Sequence, residues 1–298
     1  MTPCSRRKLL KAGFSASALA AFTGRVPVFG QTASGGKATD WVTLGKSNVK
    51  VTRLAFGTGT MSGRVQRELG QPEFTRLVRY AYDRGIRFFE TAESYGEMHK
   101  MLGIALKGLP RDSYRLMTKM TTRPEVDPQS KIDELRRLAQ TEYFDVALLH
   151  YQHTPTWVSD TAKWQDGVSE AKHKQAIIGK GASVHGLPAL RQMPGNKWLE
   201  VAMIRMNHKG TKMDHENYNS PDAGNVPEVV GHTKTVHTQG MGVISMKLIG
   251  EGAFTNREDR KAAMKFAFRN AGVDSVTVGF KNTAEIDEAI ENLNLAFA

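Results

Sequence analysis

The stretch RFFETAESYG, residues 87–96, decides the fold expected for this chain. It is an apolar run that ends in an acid, Glu90, and Tyr95 follows five residues later. Two later apolar runs end in the same way: YRLMTKM carries Lys119 near its end, and FDVALLH ends at His150. Short apolar runs bounded by polar residues predict buried β-strands. We therefore expect an acid, a tyrosine, a lysine and a histidine at or just past the C-terminal ends of strands.

Strand and helix patterns alternate from residue 54 onward. The predicted strands cover residues 54–57, 86–91, 114–120, 145–150, 176–183, 199–207, 242–248 and 275–280. The predicted helices cover residues 74–84, 99–107, 131–139, 161–174, 187–192, 226–238, 260–270 and 283–293. This alternation predicts an α/β fold, a (β/α)8 TIM barrel. A doubly wound open sheet is the rival, but the glycines of GTGTMSG, residues 57–63, lack the G-x-G-x-x-G spacing that a dinucleotide-binding sheet needs after its first strand.

An alternating segment precedes the barrel pattern. WVTL, residues 41–44, and VKV, residues 49–51, flank the turn-forming tetrad GKSN. This arrangement predicts an N-terminal β-hairpin. We assign residues 41–298 to one barrel domain and residues 34–40 to a linker.

Residues 1–33 resemble a bacterial export signal. SRRKLLK, residues 5–11, resembles a twin-arginine motif, and the weakly apolar stretch 12–23 is too short to span a membrane. We therefore predict a signal peptide read by the twin-arginine export machinery, a periplasmic location and no membrane anchor. A basic N-terminus on a cytosolic protein is the alternative. The single cysteine, Cys4, lies in this segment, so residues 34–298 offer no thiol for disulfides, iron–sulfur ligation or catalysis.

The charge balance gives little sign of a nucleic-acid partner. The formal net charge is +11, but residues 1–33 hold five of the basic residues and no acid. The rest is mildly basic and lacks the dense Lys/Arg stripe with interleaved aromatics that nucleic-acid binders show. We expect the remaining charge to serve as a solvated surface, with attraction for an anionic ligand as the alternative.

The order of these segments resembles the aldo-keto reductases. The hairpin, FFETAESYG, LMTKM and ALLH together cover the family's pattern, and the likeness extends over nearly all of residues 41–298. The family form of the first block has an aspartate where this chain has Glu90. The resemblance implies an oxidoreductase that uses NADP or NAD to reduce an aldehyde or ketone, or to oxidise a sugar-like alcohol.

The resemblance also implies four catalytic residues. Tyr95 would protonate the carbonyl oxygen as general acid, and Lys119 would lower the pKa of its phenol from the usual value of about 10. Glu90 would pair with Lys119, and His150 would donate to or orient the carbonyl. The hydride would come from a nicotinamide cofactor, because no side chain can supply one.

The cofactor-binding positions match the family less closely. Ser183 keeps the family's serine, whereas Val184 replaces the asparagine that usually follows it. Met203 stands where a glutamine is usual, and Met246 stands where an aromatic ring would stack on the nicotinamide, with Lys247 beside it. We still expect Ser183, Met246 and Lys247 to contact the cofactor.

The segment GFKNT, residues 279–283, resembles the family's phosphate-binding segment before the last helix. A helix N-terminus and a basic side chain would face the anion there. We expect Gly279, Lys281 and Thr283 to contact the cofactor. Glu285 nearby would disfavour a 2′-phosphate, so the choice between NADP and NAD stays open.

Two other functions remain open. The eroded cofactor positions favour a barrel that has lost turnover and binds a small ligand or a partner protein. A sugar isomerase or lyase would need a metal or a second base. His150 and His153 suggest a metal site, but no further ligands follow at zinc-like spacing, so we predict no metal.

Overall fold

The segment around the GKSN tetrad folds as the predicted hairpin. In a computed structural model, which describes residues 36–298, β1 (Trp41–Thr43) pairs antiparallel with β2 (Lys50–Thr52). The Ser47 hydroxyl closes the turn by donating to the Leu44 carbonyl at 2.6 Å. Gly45 begins the turn with a φ of 45°, in the left-handed region that favours glycine.

The later apolar runs form parallel strands, most of which are buried on both faces, as is usual in parallel sheets. In chain order they are β3 (Leu54–Gly57), β4 (Phe88–Glu90), β5 (Arg115–Thr121), β6 (Phe144–Gln152), β7 (Ile177–Val184), β8 (Val201–Arg205), β9 (Gly242–Met246) and β10 (Ser275–Gly279). Neighbouring strands pair in sequence order, and β10 pairs with β3 to close the ring. The predicted (β/α)8 TIM barrel is confirmed.

Helices alternate with the strands. They are α1 (Arg64–Arg67), α2 (Gly70–Asp83), α3 (Met98–Leu106), α4 (Pro128–Leu138), α5 (Trp157–Asp160), α6 (Ala162–His173), α7 (Leu187–Leu190), α8 (Val226–Thr238), α9 (Arg257–Phe266) and α10 (Thr283–Phe297). The short α1 and α5 lie in stretches expected to be loops. Four helices begin at an Asp or Asn that accepts the backbone N–H three residues on: Asp127, Asn225, Asn256 and Asn282.

The barrel interior is closed at its N-terminal end by the hairpin. Side chains of Leu44, Val49 and Val51 are buried in the same cluster as the inward-facing residues of the strands. A Cβ at Gly242 would lie 2.5 Å from the Leu44 carbonyl carbon, so the hairpin and β9 meet with no room for a side chain. The C-terminal ends of the strands are therefore the ends left free to form a site.

Residues 36–40, which belong to the predicted linker, pack against the barrel. Ala38 is buried, and its backbone N–H donates to Asn294 Oδ1 of α10 at 2.8 Å. The predicted twin-arginine signal lies outside the described residues, so its boundary and the export remain predictions. Within residues 36–298, no helix is long and apolar enough to cross a bilayer.

Candidate active site

Alternation along the strands decides which side chains face the barrel interior. Every second residue points inward, and strands of a TIM barrel contribute to interior layers in alternation. Counted along the strand registers, one layer holds Glu90, Leu148, Met203 and Thr277. The next, toward the C-terminal ends, holds Gly57, Lys119, Ser183 and Met246. His150, Arg205 and Gly279 lie above that layer, at the mouth. The strands thus bring Glu90, Lys119 and His150 to one end of the barrel.

A buried ion pair lies at the base of this end. The Lys119 ammonium contacts Glu90 Oε1, and both side chains are almost fully buried. Lys119 Nζ also donates to the Thr91 carbonyl at 3.2 Å. Burial first, and then the neighbouring charge of Lys247, lower the pKa of Lys119. Its positive charge therefore depends on the Glu90 carboxylate.

The next two strands on one side of β4, β3 and β10, leave room for the longer Glu90 side chain. Glu90 pairs in register with Gly57, where a Cβ would lie 3.1 Å from Glu90 Oε2. The same Cβ would lie 2.6 Å from Thr277 Oγ1, whose hydroxyl donates to Glu90 Oε2 at 3.3 Å. Gly57 supplies the space and Thr277 the second hydrogen bond for a carboxylate one methylene longer than aspartate.

Tyr95 lies beside this ion pair, at the end of a short 3₁₀ turn, Glu93–Tyr95. Lys119 Nζ is 4.8 Å from the centroid of its ring, and the His150 ring is 5.6 Å away and nearly perpendicular. Glu93 holds the turn in place, because its carboxylate accepts the Thr121 backbone N–H at 2.9 Å. Gly59 packs against the phenol so closely that a Cβ there would lie 2.6 Å from the Tyr95 hydroxyl oxygen.

The pKa of Tyr95 shifts in the direction opposite to the one expected. Burial first, and then the nearby Glu251 carboxylate, raise the pKa of the phenol well above its ordinary value. Lys119 does not reverse this shift, because its charge lies over the ring face and is paired with Glu90. Tyr95 is therefore protonated at neutral pH in this structure.

His150 is neutral. Burial first, and then the charges of Lys119 and Lys247, lower the pKa of its imidazole well below the ordinary value. Its Nδ1 lies 3.2 Å from Ser94 Oγ. If the Ser94 hydroxyl donates in this contact, the imidazole proton resides on Nε2, and His150 can donate one hydrogen bond from there.

Three of the predicted cofactor-binding residues lie on the β7 and β9 side of the mouth. Ser183 Oγ is buried and accepts the Tyr151 backbone N–H at 3.1 Å, which holds Tyr151 at a φ of 61° beside a register shift in β6. Met246 is 7% exposed in the interior cluster. The Lys247 ammonium is engaged by the Glu251 carboxylate.

The predicted phosphate-binding segment is satisfied by its own side chains. The Lys281 backbone N–H donates to Glu285 Oε2 at 2.7 Å, and Asn282 Oδ1 accepts the Glu285 N–H at 3.0 Å. A Cβ at Gly279 would lie 2.2 Å from Thr60 Oγ1. Thr283 is the first residue of α10. A carboxylate thus already lies where the segment was expected to receive a phosphate.

A model of the aldo/keto reductase family matches residues 53–294. The chain belongs to the aldo/keto reductase family. The match covers the barrel from β3 to α10 and includes all four predicted catalytic residues.

Curated relatives match part of this aldo/keto reductase. "Probable aldo-keto reductase 1" of Glycine max is 32% identical over 126 residues, which cover 38% of this chain and 35% of the relative. "L-galactose dehydrogenase" of Arabidopsis thaliana is 32% identical over 117 residues, 36% of each protein. The matched region spans about a third of the length of these relatives.

Solved structures share the fold at low identity. An aldo-keto reductase from Bacillus halodurans in its holo form superposes with a TM-score of 0.68 at 16% identity, and covers 87% of this chain and 95% of that one. An aldo-keto reductase from Klebsiella pneumoniae in complex with NADPH gives a TM-score of 0.63 at 15% identity, covering 87% and 90% of the two chains.

Three polar residues at the mouth of this aldo/keto reductase escaped the sequence analysis. They are His185, Arg205 and Asp214. Arg205 follows Met203 by two residues, so strand alternation alone could have placed it inward at the mouth. Met203 itself is packed in the interior and 1% exposed. In the described part of the chain, no group of three or more His, Cys, Asp or Glu could hold a metal ion.

The fit around Glu90 predicts the effect of restoring the family's aspartate. Glu90→Asp withdraws the carboxylate by one methylene from Lys119 and from Thr277. We expect kcat to fall by about tenfold or more, because ångström-scale misplacement in an active site is costly. Steady-state kinetics with a saturating aldehyde and NADPH or NADH measure this.

Gly57→Ala supplies the companion variant. It should also lower kcat, and by a smaller factor in the Glu90→Asp background, where the carboxylate has withdrawn. Gly231→Ala, on α8, is the control, because a Cβ there meets open space. An unchanged or higher kcat in Glu90→Asp would contradict the argument.

Proposed function

We propose that this protein is an NADP- or NAD-dependent oxidoreductase that reduces an aldehyde or ketone, or oxidises a sugar-like alcohol in the reverse direction. The observation that carries the proposal is the placement of Tyr95 against both Lys119 and His150 at the open end of the barrel. The NADPH complex of the Klebsiella pneumoniae enzyme and the name of the Arabidopsis thaliana relative support the cofactor and the substrate range.

Tyr95 is the proton donor in this proposal. The phenol is protonated at neutral pH, as it would be at its ordinary pKa of about 10, so it has a proton for a carbonyl oxygen that gains negative charge. Burial raises the pKa further and makes Tyr95 a weaker acid until that charge develops beside it. Lys119 lies over the ring face, 4.8 Å from its centroid, and this cation–π contact holds the ring in place beside the reacting carbonyl. Glu90 keeps Lys119 charged and fixed. His150, neutral and buried, donates a hydrogen bond that orients the carbonyl.

The residues at the mouth of the barrel could hold the nicotinamide end of a nucleotide cofactor. Thr58 Oγ1 and Gln66 Oε1 are buried beside β3 and lack a hydrogen-bond partner among residues 36–298. Ser183 and Met246 would hold the nicotinamide end. A bound nicotinamide nucleotide would supply the hydride. The fit is poorer at α10, where Glu285 already accepts the Lys281 N–H.

A binding barrel without turnover is the second candidate. The Glu285 carboxylate at the phosphate-binding segment favours it, because a phosphate would have to displace a like charge. The two candidates differ in turnover: the oxidoreductase reduces a carbonyl with Tyr95 as proton donor, whereas the binding barrel catalyses no reaction.

Tyr95→Phe tests the reaction directly. It removes the phenolic proton while keeping the ring beside Lys119 and His150. We expect carbonyl reduction to fall by about 100-fold or more, with nucleotide binding unchanged. The measurements are NADPH or NADH oxidation at 340 nm and titration of tryptophan fluorescence. Tyr80→Phe is the control, since Tyr80 donates to Asp287 on α10, outside the barrel.

Full turnover in Tyr95→Phe would remove Tyr95 from this role, and the absence of turnover in the unmodified protein would favour the binding barrel.

Glu285→Gln tests the choice of cofactor. Removing the negative charge while keeping an acceptor for the Lys281 N–H should tighten NADPH binding by about fivefold, with little change for NADH. Dissociation constants from fluorescence quenching measure both. Glu291→Gln, farther along the same helix and paired with Arg257, is the matched control. Equal changes for the two nucleotides would mean that Glu285 does not discriminate between them.

We also propose export through the twin-arginine pathway to the periplasm, supported by SRRKLLK at residues 5–11. That route carries folded proteins, which would allow the nucleotide to bind before export. Replacing Arg6 and Arg7 with Lys should leave the protein in the cytosolic fraction, as measured by osmotic shock and immunoblotting. An unchanged distribution would contradict the proposal.

A further inference from the structure

Three buried polar side chains beside His150 take no part in the proton transfer. His185 follows β7, Arg205 ends β8, and Asp214 lies in the loop 209–225. They are 8%, 6% and 0% exposed. We call these three residues the polar cluster. The His185 ring lies 6.4 Å from the His150 ring, so the polar cluster borders the place where the carbonyl is reduced.

Arg205 has donor capacity left over. Its Nε lies 2.9 Å from Asp214 Oδ1, but its terminal amino groups reach the carbonyls of Lys212 and Tyr218 only at 3.4–3.5 Å. Good N–H···O bonds span about 2.7–3.2 Å. Nε also lacks a hydrogen-bond partner among residues 36–298, so its contact with Asp214 is an ion pair only, and the guanidinium is weakly bonded on both sides.

Asp214 and His185 each carry an atom without a partner. Asp214 Oδ1 accepts the Gly186 N–H at 2.6 Å, whereas Oδ2 has no hydrogen-bond partner in the part of the chain that the structure describes. The same holds for His185 Nε2 among residues 36–298. Buried polar atoms are rarely left unpaired in folded proteins. Their occurrence together at the mouth points to a polar ligand group.

The donors and acceptors of the polar cluster indicate which ligand group it can bind. Asp214 Oδ2 needs a donor, while Arg205 has donors to give. A hydroxyl group donates one hydrogen bond and accepts others, so it satisfies both. A carboxylate only accepts, and it would face the negative charge of Asp214. The arrangement thus favours a hydroxyl over a carboxylate.

We infer that the polar cluster binds a hydroxyl group on a carbon close to the reacting carbonyl. The preferred substrates are then hydroxy-aldehydes and hydroxy-ketones, simple sugars included, over plain aldehydes. This inference rests on the proposed function, since it assigns part of the substrate of the same site.

Two aldehydes of equal chain length test the inference. Glyceraldehyde carries one hydroxyl on the carbon next to its carbonyl and a second on the following carbon, and propanal carries none. We expect the unmodified protein to prefer glyceraldehyde in kcat/KM. His185→Phe removes the ring nitrogens but keeps a ring against Tyr151, 4.3 Å away. It should reduce this preference by about tenfold, mainly through KM, and leave propanal reduction unchanged.

Asp214→Asn is a second variant of the same shape. Its Oδ1 can still accept the Gly186 N–H, while an Nδ2 donor replaces the acceptor Oδ2, so the ligand hydroxyl loses the group it donates to and the preference should fall again. His153→Phe is the matched control, because it makes the same side-chain change in a ring that stacks on Tyr218 outside the polar cluster. Circular dichroism and thermal melting show whether each variant folds.

The outcomes separate the two proposals. Turnover of neither aldehyde by the unmodified protein overturns the proposed function, and this inference with it. Propanal turnover with an unchanged glyceraldehyde preference in His185→Phe overturns the inference alone. An equal fall in kcat/KM for both aldehydes also overturns it, because His185 would then support the structure of the site and not bind the hydroxyl group. A stronger preference for succinic semialdehyde over butanal than for glyceraldehyde over propanal would identify a carboxylate site instead.

Discussion

The ion pair between Glu90 and Lys119 is the interaction on which the candidate active site depends. Two charges buried in a barrel interior cost several kcal/mol each unless they are paired and hydrogen-bonded. Here Lys119 also donates to the Thr91 carbonyl, and Glu90 accepts from Thr277. The position of this pair fixes the cation over the Tyr95 ring, so the geometry of the proton donor follows from the packing of the strands beneath it.

The hairpin determines which end of the barrel can hold such a site. Leu44, Val49 and Val51 fill the N-terminal end and join the interior cluster. Above these residues, an apolar layer that contains Met117 is followed by the layer of Glu90 and then by the layer of Lys119. The interior therefore becomes polar within two layers. Polar side chains can be placed there because the lower layers already exclude water, which strengthens each electrostatic contact at the mouth.

Much of this arrangement could be predicted from the sequence, since it depends on local alternation. The positions of Glu90, Lys119 and His150 follow from apolar runs that end in a charged or polar residue, and the ring of eight strands follows from their repetition. The contacts across strands could not be predicted in this way. Gly57 and Thr277 meet Glu90 from opposite ends of the chain, and only closure of the barrel makes them neighbours. Asp214 reaches Arg205 from an irregular loop that carries no periodic signal.

The sign of the Tyr95 pKa shift was missed for a related reason. A neighbouring lysine predicts a lowered pKa only if its charge is unpaired and close to the phenol oxygen. At this mouth each of three cations has an acid of its own: Lys119 has Glu90, Lys247 has Glu251, and Arg205 has Asp214. The pairing leaves burial as the dominant effect, which raises the pKa of Tyr95 and keeps His150 and His185 neutral. It also leaves little net charge to attract an anionic substrate from a distance. Recognition at this mouth must therefore depend on short-range hydrogen bonds, and the unpaired atoms of His185 and Asp214 are placed to make them.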